Sequence, residues 1–382
     1  MRITLLGASG SIGLQSIDVI DKSDDSFELV AISVGNNIKV LEKILKKHES
    51  ISYACVKNEK DYKKLKNKYQ NVQWFYGDNG LIELIKQSDC EMVINALVGF
   101  VGLKPSLEAL NENKILALAN KESLVVGGEL IKDLLSRGCG KLFPIDSEHC
   151  AISKCLHVDD SNVKELILTA SGGSLRDIPL NELNDASIDD VLKHPNWKMG
   201  KKITVDSATL INKAFEVVEA HYLFDAQPQK IKAIIHRESM VHSLISYQNG
   251  FYRMDVSKPD MKKVIEWAIN QGLVDYQTIL VDDYHGYKKY HFEEIDNMRY
   301  PLFKYGYEVI KRKGIYGAVL NASNEVAVSN FIEGKIKFND IAKVVEHCMN
   351  NIKNHLHPTY DLLKEIDEKT RKKAMKFIER IE

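Results

Sequence analysis

The chain carries almost no net charge, because 52 Lys and Arg residues nearly balance 53 Asp and Glu residues among its 382 residues. This balance argues against a strongly basic nucleic-acid binder, although a local patch can still bind a small anion. None of the six cysteines forms a CxxC pair, which argues against zinc knuckles and thioredoxin-type redox motifs. No apolar run is long enough to span a bilayer, and the opening MRITLLG resembles a strand rather than a signal peptide. We therefore expect a cytoplasmic protein, or the mature form of an imported one, that does not enter a membrane.

Three glycines follow the first apolar run. RITLLG leads into Gly7, Gly10 and Gly13, and SIGLQSIDVID then has the apolar spacing of a helix. Glycines at such a turn let the backbone approach a pyrophosphate, and the helix N-terminus offers free N–H groups. The spacing is G-x-x-G-x-x-G rather than G-x-G-x-x-G, so an ordinary strand-to-helix turn is the alternative interpretation.

Strand-like and helix-like segments alternate through the first third of the chain. The strand-like runs are FELVAISVG, ISYACVK, VQWFYG, EMVINALVG, KILALAN and KLFPID, and helical patterns separate most of them. This alternation predicts an α/β fold with a doubly wound, Rossmann-like parallel sheet. The second strand ends ISVGNN, without the acidic residue that usually holds the ribose of NAD, which favours NADP.

Polar residues also follow a later strand, in ALANKESLV. Asn120, Lys121 and Glu122 stand at its carboxyl end, the edge at which open α/β sheets bind ligands. A helix cap formed by Asn120 or Ser123 is the alternative.

Two carboxylates, Asp146 and Glu148, follow the strand-like KLFPI segment. If the chain stays extended, they lie on the same side of it and repel each other, which suggests a bound cation. A solvated loop is the alternative.

A third carboxylate comes from VDSATLINKAFEVVEAHYLF, which we predict to be a strand end followed by a helix. The helix would place Asn212, Glu216 and Glu219 on one face, with Lys213 at its edge. Three carboxylates without a cysteine pair favour Mg²⁺ or Mn²⁺ over structural zinc. An exposed polar helix face is the alternative.

Two loops between these groups have the composition of ligand-binding segments. Ser171-Gly172-Gly173 follows a strand-like run, and its amides can hold an anion. HPNWKMGKK, with His194 and Trp197, suggests a lid that excludes water, although a structural loop anchored by the tryptophan is the alternative. The Ser207 hydroxyl, together with the amide and ammonium side chains that follow it in the chain, can donate hydrogen bonds to a phosphate.

The rest of the chain is predicted to be a small sheet followed by helices. KAIIHRESMVHSLISYQNGFYRMDVS contains strand-like runs with an Asn-Gly hairpin signal, and we expect it to pair with Leu166–Ala170. An edge of this sheet is suited to pairing across a dimer interface. DDYHGYKKYHFEEIDN is predicted to be a linker, and the segments from Tyr300 onward have helical periodicity. His236 and His242 are expected to be packed or hydrogen-bonded rather than metal ligands.

Taken together, these segments resemble the 1-deoxy-D-xylulose 5-phosphate reductoisomerase family. The resemblance rests on GASGSIG, ALANKESLV, PIDSEH, SGG, HPNWKMGKKITVDSATLINK and VLNASNEVAV, which occur in the family's order and span essentially the whole chain. It implies an NADPH-binding Rossmann-like domain (1–145), an α+β catalytic domain with a small sheet (146–272) and a lid near 194–202. A linker (273–298) and a C-terminal α-helical domain (299–382) would follow.

The resemblance also implies roles for individual residues. The metal would be held by Asp146, Glu148 and Glu216. The substrate would contact Lys121, Ser147, Glu148, Ser171, His194, Trp197, Ser207, Asn212, Lys213 and Glu216. NADPH would contact Ser9, Gly10, Ser11, Ile12, Gly35, Asn36, Asn37, Asn120, Glu122 and Gly200. The catalytic residues would be Lys121, Asp146, Glu148, His194 and Glu216.

The implied activity is the NADPH- and divalent-metal-dependent conversion of 1-deoxy-D-xylulose 5-phosphate to 2-C-methyl-D-erythritol 4-phosphate by a homodimer. This reaction is an early step of non-mevalonate isoprenoid precursor biosynthesis. Mg²⁺, Mn²⁺ or Co²⁺ would polarise the ketone, a retroaldol and aldol sequence would move the branch, and NADPH would reduce the resulting aldehyde. Asn36 replaces a basic residue frequent in the family, which weakens the expected contact with the 2′-phosphate.

Two other functions are compatible with the first domain. A different NADP-linked dehydrogenase of an aldehyde-type substrate would keep its activity after chelation of metal ions. A non-catalytic NADP sensor would bind the cofactor without turnover.

Overall fold

The computed structural model describes residues 1–23, 26–197, 199–273 and 289–381. They divide into two compact units. Unit 1 comprises Met1–Ser123, Leu130–Asp146 and Asp260–Val274, and unit 2 comprises Leu124–Glu129, Ser147–Pro259 and Asp275–Glu382. Within the described ranges, no helix combines the length and the apolar character that crossing a membrane requires.

Unit 1 is built around a parallel sheet to which its described residues contribute seven strands. In chain order the strands are β1 (Arg2–Leu6), β2 (Glu28–Val34), β3 (Tyr53–Val56), β4 (Gln73–Tyr76), β5 (Met92–Asn95), β6 (Ile115–Leu118) and β7 (Lys141–Pro144). Their spatial order is β4-β3-β2-β1-β5-β6-β7, and each neighbouring pair is parallel. The order reverses at β1 and β5, so the predicted doubly wound, Rossmann-like fold class is confirmed.

Helices connect these strands. They are α1 (Ser11–Ile20), α2 (Ile38–Lys47), α3 (Glu59–Lys68), α4 (Gly77–Gln87), α5 (Leu103–Asn111) and α6 (Lys121–Ser136), and a later helix, α11 (Met261–Ile269), packs on α1. In α2 the buried residues Leu41, Ile44 and Leu45 recur at helical spacing, and the Asn37 side chain accepts a hydrogen bond from the Val40 N–H. The periodicity that predicts the helices is thus the periodicity of burial.

Unit 2 contains a mixed sheet, with four strands among the described residues. The strands are β8 (Val163–Ala170), β9 (Ile231–Ile235), β10 (Val241–Tyr247) and β11 (Tyr252–Val256). Their order is β11-β10-β8-β9, with β10 antiparallel to both of its neighbours and β8 parallel to β9. The predicted small sheet and its hairpin are therefore confirmed.

Helices complete unit 2. They are α7 (Ser147–Val158), α8 (Ile188–Val191), α9 (Lys201–Ala208), α10 (Ile211–Phe224), α12 (Lys304–Arg312), α13 (Tyr316–Ile332), α14 (Phe338–Asn351) and α15 (Tyr360–Ile381). The helix α13 is almost entirely buried and packs against α14, α15, α9 and α12. The predicted C-terminal helical region is confirmed, with α13 at its centre.

Two local predictions are wrong. Asp146 and Glu148 do not lie on an extended chain, because α7 begins at Ser147 and Glu148 belongs to its first turn, where the helix dipole favours an acidic residue. The segment before Asn212 is not a strand end, because Lys201–Ala208 forms α9. The last two residues of the predicted lid, Lys201 and Lys202, are therefore helical. Short apolar runs fit either element, and tertiary packing decided between them.

The domain boundaries inferred from the sequence stay a prediction. Of the predicted linker, residues 274–288 lie outside the described residues. Glu293, near its end, forms an isolated antiparallel bridge with Ile235 of β9.

Candidate active site

The glycine loop of unit 1 lies where the strand order reverses. Gly7 follows β1 with a φ of 80°, and a Cβ on it would lie 2.5 Å from the Ala96 carbonyl oxygen after β5. Only glycine fits this backbone and this close approach. The predicted cofactor residues Gly10 and Ser11 follow it and are exposed, whereas Ser9 and Ile12 are partly buried. The loop thus presents backbone at the edge where such sheets bind nucleotides.

The end of β2 supplies the next predicted cofactor residues. Gly35, Asn36 and Asn37 are all exposed. Ser33, in contrast, is buried, and its hydroxyl accepts a hydrogen bond of 3.0 Å from the Gly7 N–H. Ser33 therefore supports the backbone of the glycine loop.

Asn120 and Glu122 lie at the start of α6, and both are buried. The Asn120 amide donates to the carbonyl oxygens of Leu97 and Gly99, at 3.1 and 3.0 Å, and to the Glu122 carboxylate at 3.0 Å. This amide therefore holds the loop after β5. Gly200, the last predicted cofactor residue, lies in unit 2 as the N-cap of α9.

Lys121 and Asp146 form a buried ion pair in unit 1. The Lys121 ammonium lies 2.5 Å from the Asp146 carboxylate, and both side chains are about one-tenth exposed, at 11% and 10%. Asp146 ends the segment Leu130–Asp146 of unit 1, and Ser147 and Glu148 follow it directly in the chain.

Unit 2 contains a cluster of Glu148 from α7 with Asn212, Lys213 and Glu216 from α10. The Lys213 ammonium donates to Glu148 at 2.6 Å and also to Glu216, while the Asn212 amide donates to Glu216 at 2.5 Å. Carboxylate oxygens of Glu148 and Glu216 lie within 4.8 Å of each other. Burial lowers the pKa of Lys213, but the two carboxylates outweigh it and raise the pKa overall. The hydroxyl of Ser147 donates to Glu148 as well.

A histidine that the sequence did not single out lies behind this cluster. His149 is fully buried, and its Nε2 lies 3.0 Å from the Glu216 carbonyl oxygen. Its Nδ1 is 3.7 Å from the carboxylate of Glu219, which is also buried. These contacts join α7 to α10 and hold the two glutamates of the cluster in place. The one available signal was the position of His149 directly after Glu148.

A second cluster in unit 2 joins three of the predicted substrate residues. His194 Nε2 lies 3.0 Å from the Ser171 hydroxyl and 3.1 Å from the Ser207 hydroxyl. Burial, with a smaller contribution from Arg176, lowers the pKa of His194 to about 4, so the ring is neutral near pH 7. The donors predicted to hold a phosphate thus fall into two groups, one around His194 and one around Glu216.

The predicted lid is held by its own polar residues. The Asn196 amide donates to the Arg237 carbonyl oxygen and the Ser239 hydroxyl, both at 2.7 Å. Trp197 is half-buried, and its ring lies 6.3 Å from that of His242. His242 Nε2 lies 3.1 Å from the hydroxyl of Ser257, and the ring is buried, as expected for a packed histidine.

One more buried carboxylate supports this region. Asp206 of α9 lies 2.8 Å from the Lys202 ammonium and accepts a hydrogen bond of 2.8 Å from the Asn324 amide of α13. Through Asn324, the segment VLNASNEVAV therefore holds α9, which carries Ser207, against α13. The sequence did not single out Asp206.

A dinucleotide-type sheet together with a cluster of carboxylates is typical of nicotinamide-dependent oxidoreductases. Three family models match the chain. The model for 1-deoxy-D-xylulose 5-phosphate reductoisomerase matches residues 3–128, and the models for C-terminal domains of this enzyme match residues 142–224 and 256–373. The chain belongs to the 1-deoxy-D-xylulose 5-phosphate reductoisomerase family.

Curated and solved relatives agree with this assignment. A 1-deoxy-D-xylulose 5-phosphate reductoisomerase 2 of Bacillus thuringiensis subsp. konkukian is 39% identical over 382 residues, covering 99% of this chain and 100% of the relative. A solved DOX-P reductoisomerase in complex with NADPH, fosmidomycin and magnesium has a TM-score of 0.93 at 30% identity, covering 100% and 99% of the two chains. The Zymomonas mobilis enzyme in complex with NADPH has a TM-score of 0.90 at 32% identity, covering 99% of each chain.

Proposed function

We propose that this chain converts 1-deoxy-D-xylulose 5-phosphate to 2-C-methyl-D-erythritol 4-phosphate, consuming one NADPH and one proton. The observation that carries the proposal is the cluster of partly buried Glu148 with buried Glu216 and Lys213, within a chain that belongs to this family along its whole length. The reaction is an early step of isoprenoid precursor biosynthesis by the non-mevalonate route.

The donor set of the carboxylate cluster fits a hard divalent ion. Glu148 and Glu216 offer only carboxylate oxygens, the ligands that Mg²⁺ and Mn²⁺ prefer. We propose that Asp146, two residues before Glu148 in the chain, is the third ligand. Solved relatives carry magnesium and NADPH. When bound, the metal would polarise the oxygens of the substrate, and NADPH would supply the hydride.

The remaining residues bind and orient the substrate. The ammonium of Lys121 is suited to donating to a substrate hydroxyl and to stabilising developing negative charge there. Ser171 and Ser207, grouped around His194, provide hydroxyl donors for the phosphate. Asn212 and Lys213, at the start of α10, lie in the chain between Ser207 and Glu216, so the phosphate end and the metal end are only a few residues apart. Trp197 would cover the bound substrate and exclude water.

The exposed backbone of Gly10 and Ser11 fits the pyrophosphate of NADPH. We propose that NADPH also contacts Ser9, Ile12, Gly35, Asn36, Asn37, Asn120, Glu122 and Gly200. Asn36 carries no charge, so selectivity for NADPH over NADH is expected to rest on hydrogen bonds from amide groups rather than on an ion pair.

The test is NADPH oxidation with 1-deoxy-D-xylulose 5-phosphate, with and without Mg²⁺ or Mn²⁺. Glu216→Gln is expected to abolish turnover while leaving NADPH binding, followed by fluorescence, close to that of the wild type. Glu165→Gln changes a partly buried carboxylate elsewhere in unit 2 and serves as the matched control. Turnover that survives chelation would favour a different dehydrogenase, and NADPH binding without turnover in Mg²⁺ would favour a sensor.

We also propose that the protein is a homodimer. Among the residues that the structure describes, β11 is an edge strand of its sheet, and Phe251, Tyr252 and Met254 are 72%, 61% and 40% exposed. Exposed apolar residues on an unpaired edge favour association. Tyr252→Lys is expected to shift the protein towards the monomer in sedimentation, and an unchanged mass would contradict this interface. A cytoplasmic location is proposed because all six cysteines are free thiols, which suits a reducing compartment.

A further inference from the structure

The turn Ser171–Gly172–Gly173 has an unusual backbone that other residues hold in place. It follows β8, and Gly172 and Gly173 have φ values of 83° and 72°. A Cβ on Gly173 would lie 2.6 Å from the Cα of Ala208, so glycine is required there. Two successive glycines with positive φ make a tight turn, and its buried backbone groups need hydrogen-bond partners.

Arg176 and Tyr300 provide that support. The Arg176 guanidinium donates from Nη1 to the Ser171 carbonyl oxygen at 2.7 Å and to the Arg237 carbonyl oxygen at 3.1 Å. The Tyr300 hydroxyl donates to the Gly172 carbonyl oxygen at 2.8 Å. Tyr300 is 4% exposed, and burial raises its pKa to about 12, so it remains a proton donor at neutral pH.

The hydrogen bonds from Arg176 to the Ser171 oxygen and from Tyr300 to the Gly172 oxygen decide where the N–H groups of the turn point. In a trans peptide the N–H points away from the carbonyl oxygen of the same plane. Because Tyr300 holds the Gly172 oxygen, the Gly173 N–H is directed to the other side, where it donates to the Ser171 hydroxyl at 3.1 Å. Likewise, Arg176 holds the Ser171 carbonyl oxygen, so the Gly172 N–H of the same peptide plane points away from Arg176.

The Ser171 hydroxyl is fixed from a second direction by His194. His194 Nδ1 accepts the backbone N–H groups of Asn196 and Trp197, at 3.2 and 2.9 Å. The proton of the neutral ring therefore lies on Nε2, which donates to the hydroxyl of Ser171 or Ser207. The Ser171 oxygen accepts from the Gly173 N–H and lies 3.0 Å from His194 Nε2, so the proton of the Ser171 hydroxyl can be donated to a bound anion.

We infer that Arg176 and Tyr300 are positioning residues that orient this turn and thereby set the affinity for the phosphate group of the substrate. The inference rests on the proposed function for the identity of the substrate, whereas the orientation of the turn does not depend on it. Neither residue was among the site residues expected from the sequence.

The test compares Tyr300→Phe, Arg176→Lys and Arg176→Met with the wild type. Tyr300→Phe should raise KM for 1-deoxy-D-xylulose 5-phosphate about tenfold, the effect of one lost hydrogen bond, with kcat nearly unchanged. For 1-deoxy-D-xylulose, which lacks the phosphate, kcat/KM should not fall. Arg176→Lys keeps the charge but not the planar donor group. It should therefore raise KM for 1-deoxy-D-xylulose 5-phosphate less than Arg176→Met does, but still above the wild-type value.

Tyr307→Phe is the matched control, because the Tyr307 hydroxyl donates to the Ile231 carbonyl oxygen at 3.1 Å elsewhere in unit 2. It should lower thermal stability about as much as Tyr300→Phe and leave KM unchanged. The inference is overturned if Tyr300→Phe leaves KM unchanged, or if it weakens both substrates equally.

Inorganic phosphate separates this inference from the proposed function. Its binding, measured by calorimetry in the presence of NADPH, should weaken about tenfold in Tyr300→Phe and stay unchanged in Tyr307→Phe. If the wild type did not turn over 1-deoxy-D-xylulose 5-phosphate, the proposed function would fail, and the phosphate measurement would still decide the role of Arg176 and Tyr300. Equal phosphate affinity in all variants would reject that role.

Discussion

Replacing Lys213 by methionine tests the carboxylate cluster directly. The Lys213 side chain is 3% exposed and forms ion pairs with Glu148 and Glu216, whose side chains are 17% and 1% exposed. Removing one partner of a buried ion pair leaves an uncompensated charge and costs about 3–5 kcal/mol. We expect a loss towards the lower end of this range, because Glu148 is partly open to water and Asn212 still donates to Glu216.

The same variant should respond more strongly to Mg²⁺. The ammonium and the proposed metal ion use the same carboxylates, so the metal binds more tightly once the lysine is gone. Saturation at a hundredfold excess over the dissociation constant stabilises a protein by about 2.7 kcal/mol, and each tenfold gain in affinity adds about 1.4 kcal/mol at the same concentration. The Mg²⁺-induced stabilisation should therefore be larger in Lys213→Met than in the wild type.

Urea unfolding of the metal-free and Mg²⁺-saturated forms measures both effects. Lys202→Met is the control, because Lys202 is also paired with a buried carboxylate, Asp206, at 2.8 Å. It should destabilise the protein without changing the increment from Mg²⁺. Equal Mg²⁺ increments in Lys213→Met and in the wild type would refute the reasoning, as would unchanged stability of the metal-free variant.

Three further predictions concern pH and packing. Burial lowers the pKa of His194 from its ordinary value of 6.5 to about 4 in the folded protein. The unfolded chain therefore binds more protons between these two pH values, and stability falls as the pH falls. His194→Gln should flatten this part of a stability-against-pH curve, and an unchanged slope would contradict the prediction. Asn324→Ala removes the hydrogen bond to buried Asp206 and should cost about 1–3 kcal/mol in urea unfolding, and a neutral result would argue against this link between α13 and α9. Arg371 of α15 bridges to Glu325 of α13 but is 34% exposed, so Arg371→Met should cost only about 1 kcal/mol, and a much larger loss would mean that the pair is better shielded than its exposure indicates.

Local sequence patterns were sufficient to predict strands and turns where backbone conformation and side-chain burial determine them. The strands β1, β2, β3, β5 and β6 are largely buried and appear as continuous apolar runs. Gly7, directly after β1, marks a turn that only glycine fits. The same reasoning failed at α7 and α9, where short segments of mixed polarity are compatible with a strand or a helix.

Contacts between distant parts of the chain could not be read from spacing. The sequence placed Asn212 and Glu216 on one helix face, and their hydrogen bond confirms it. Spacing gave no sign that Lys213 would pair with Glu148, 65 residues earlier, or that Tyr300 would reach Gly172, 128 residues away. Such pairs depend on how whole elements pack, because a helix or strand pattern describes only its own few turns.

By itself, the sequence determined the doubly wound sheet, the position of the glycine loop and the residue types available for a metal and a phosphate. The tertiary structure alone decided that His194 is neutral and lies between two serines, and that Arg176 and Tyr300 hold the carbonyl oxygens of the turn beside it. The physical reason is that hydrogen bonds and pKa values depend on distances of a few ångströms and on burial. Both are set by packing between elements that the linear order of residues does not bring together.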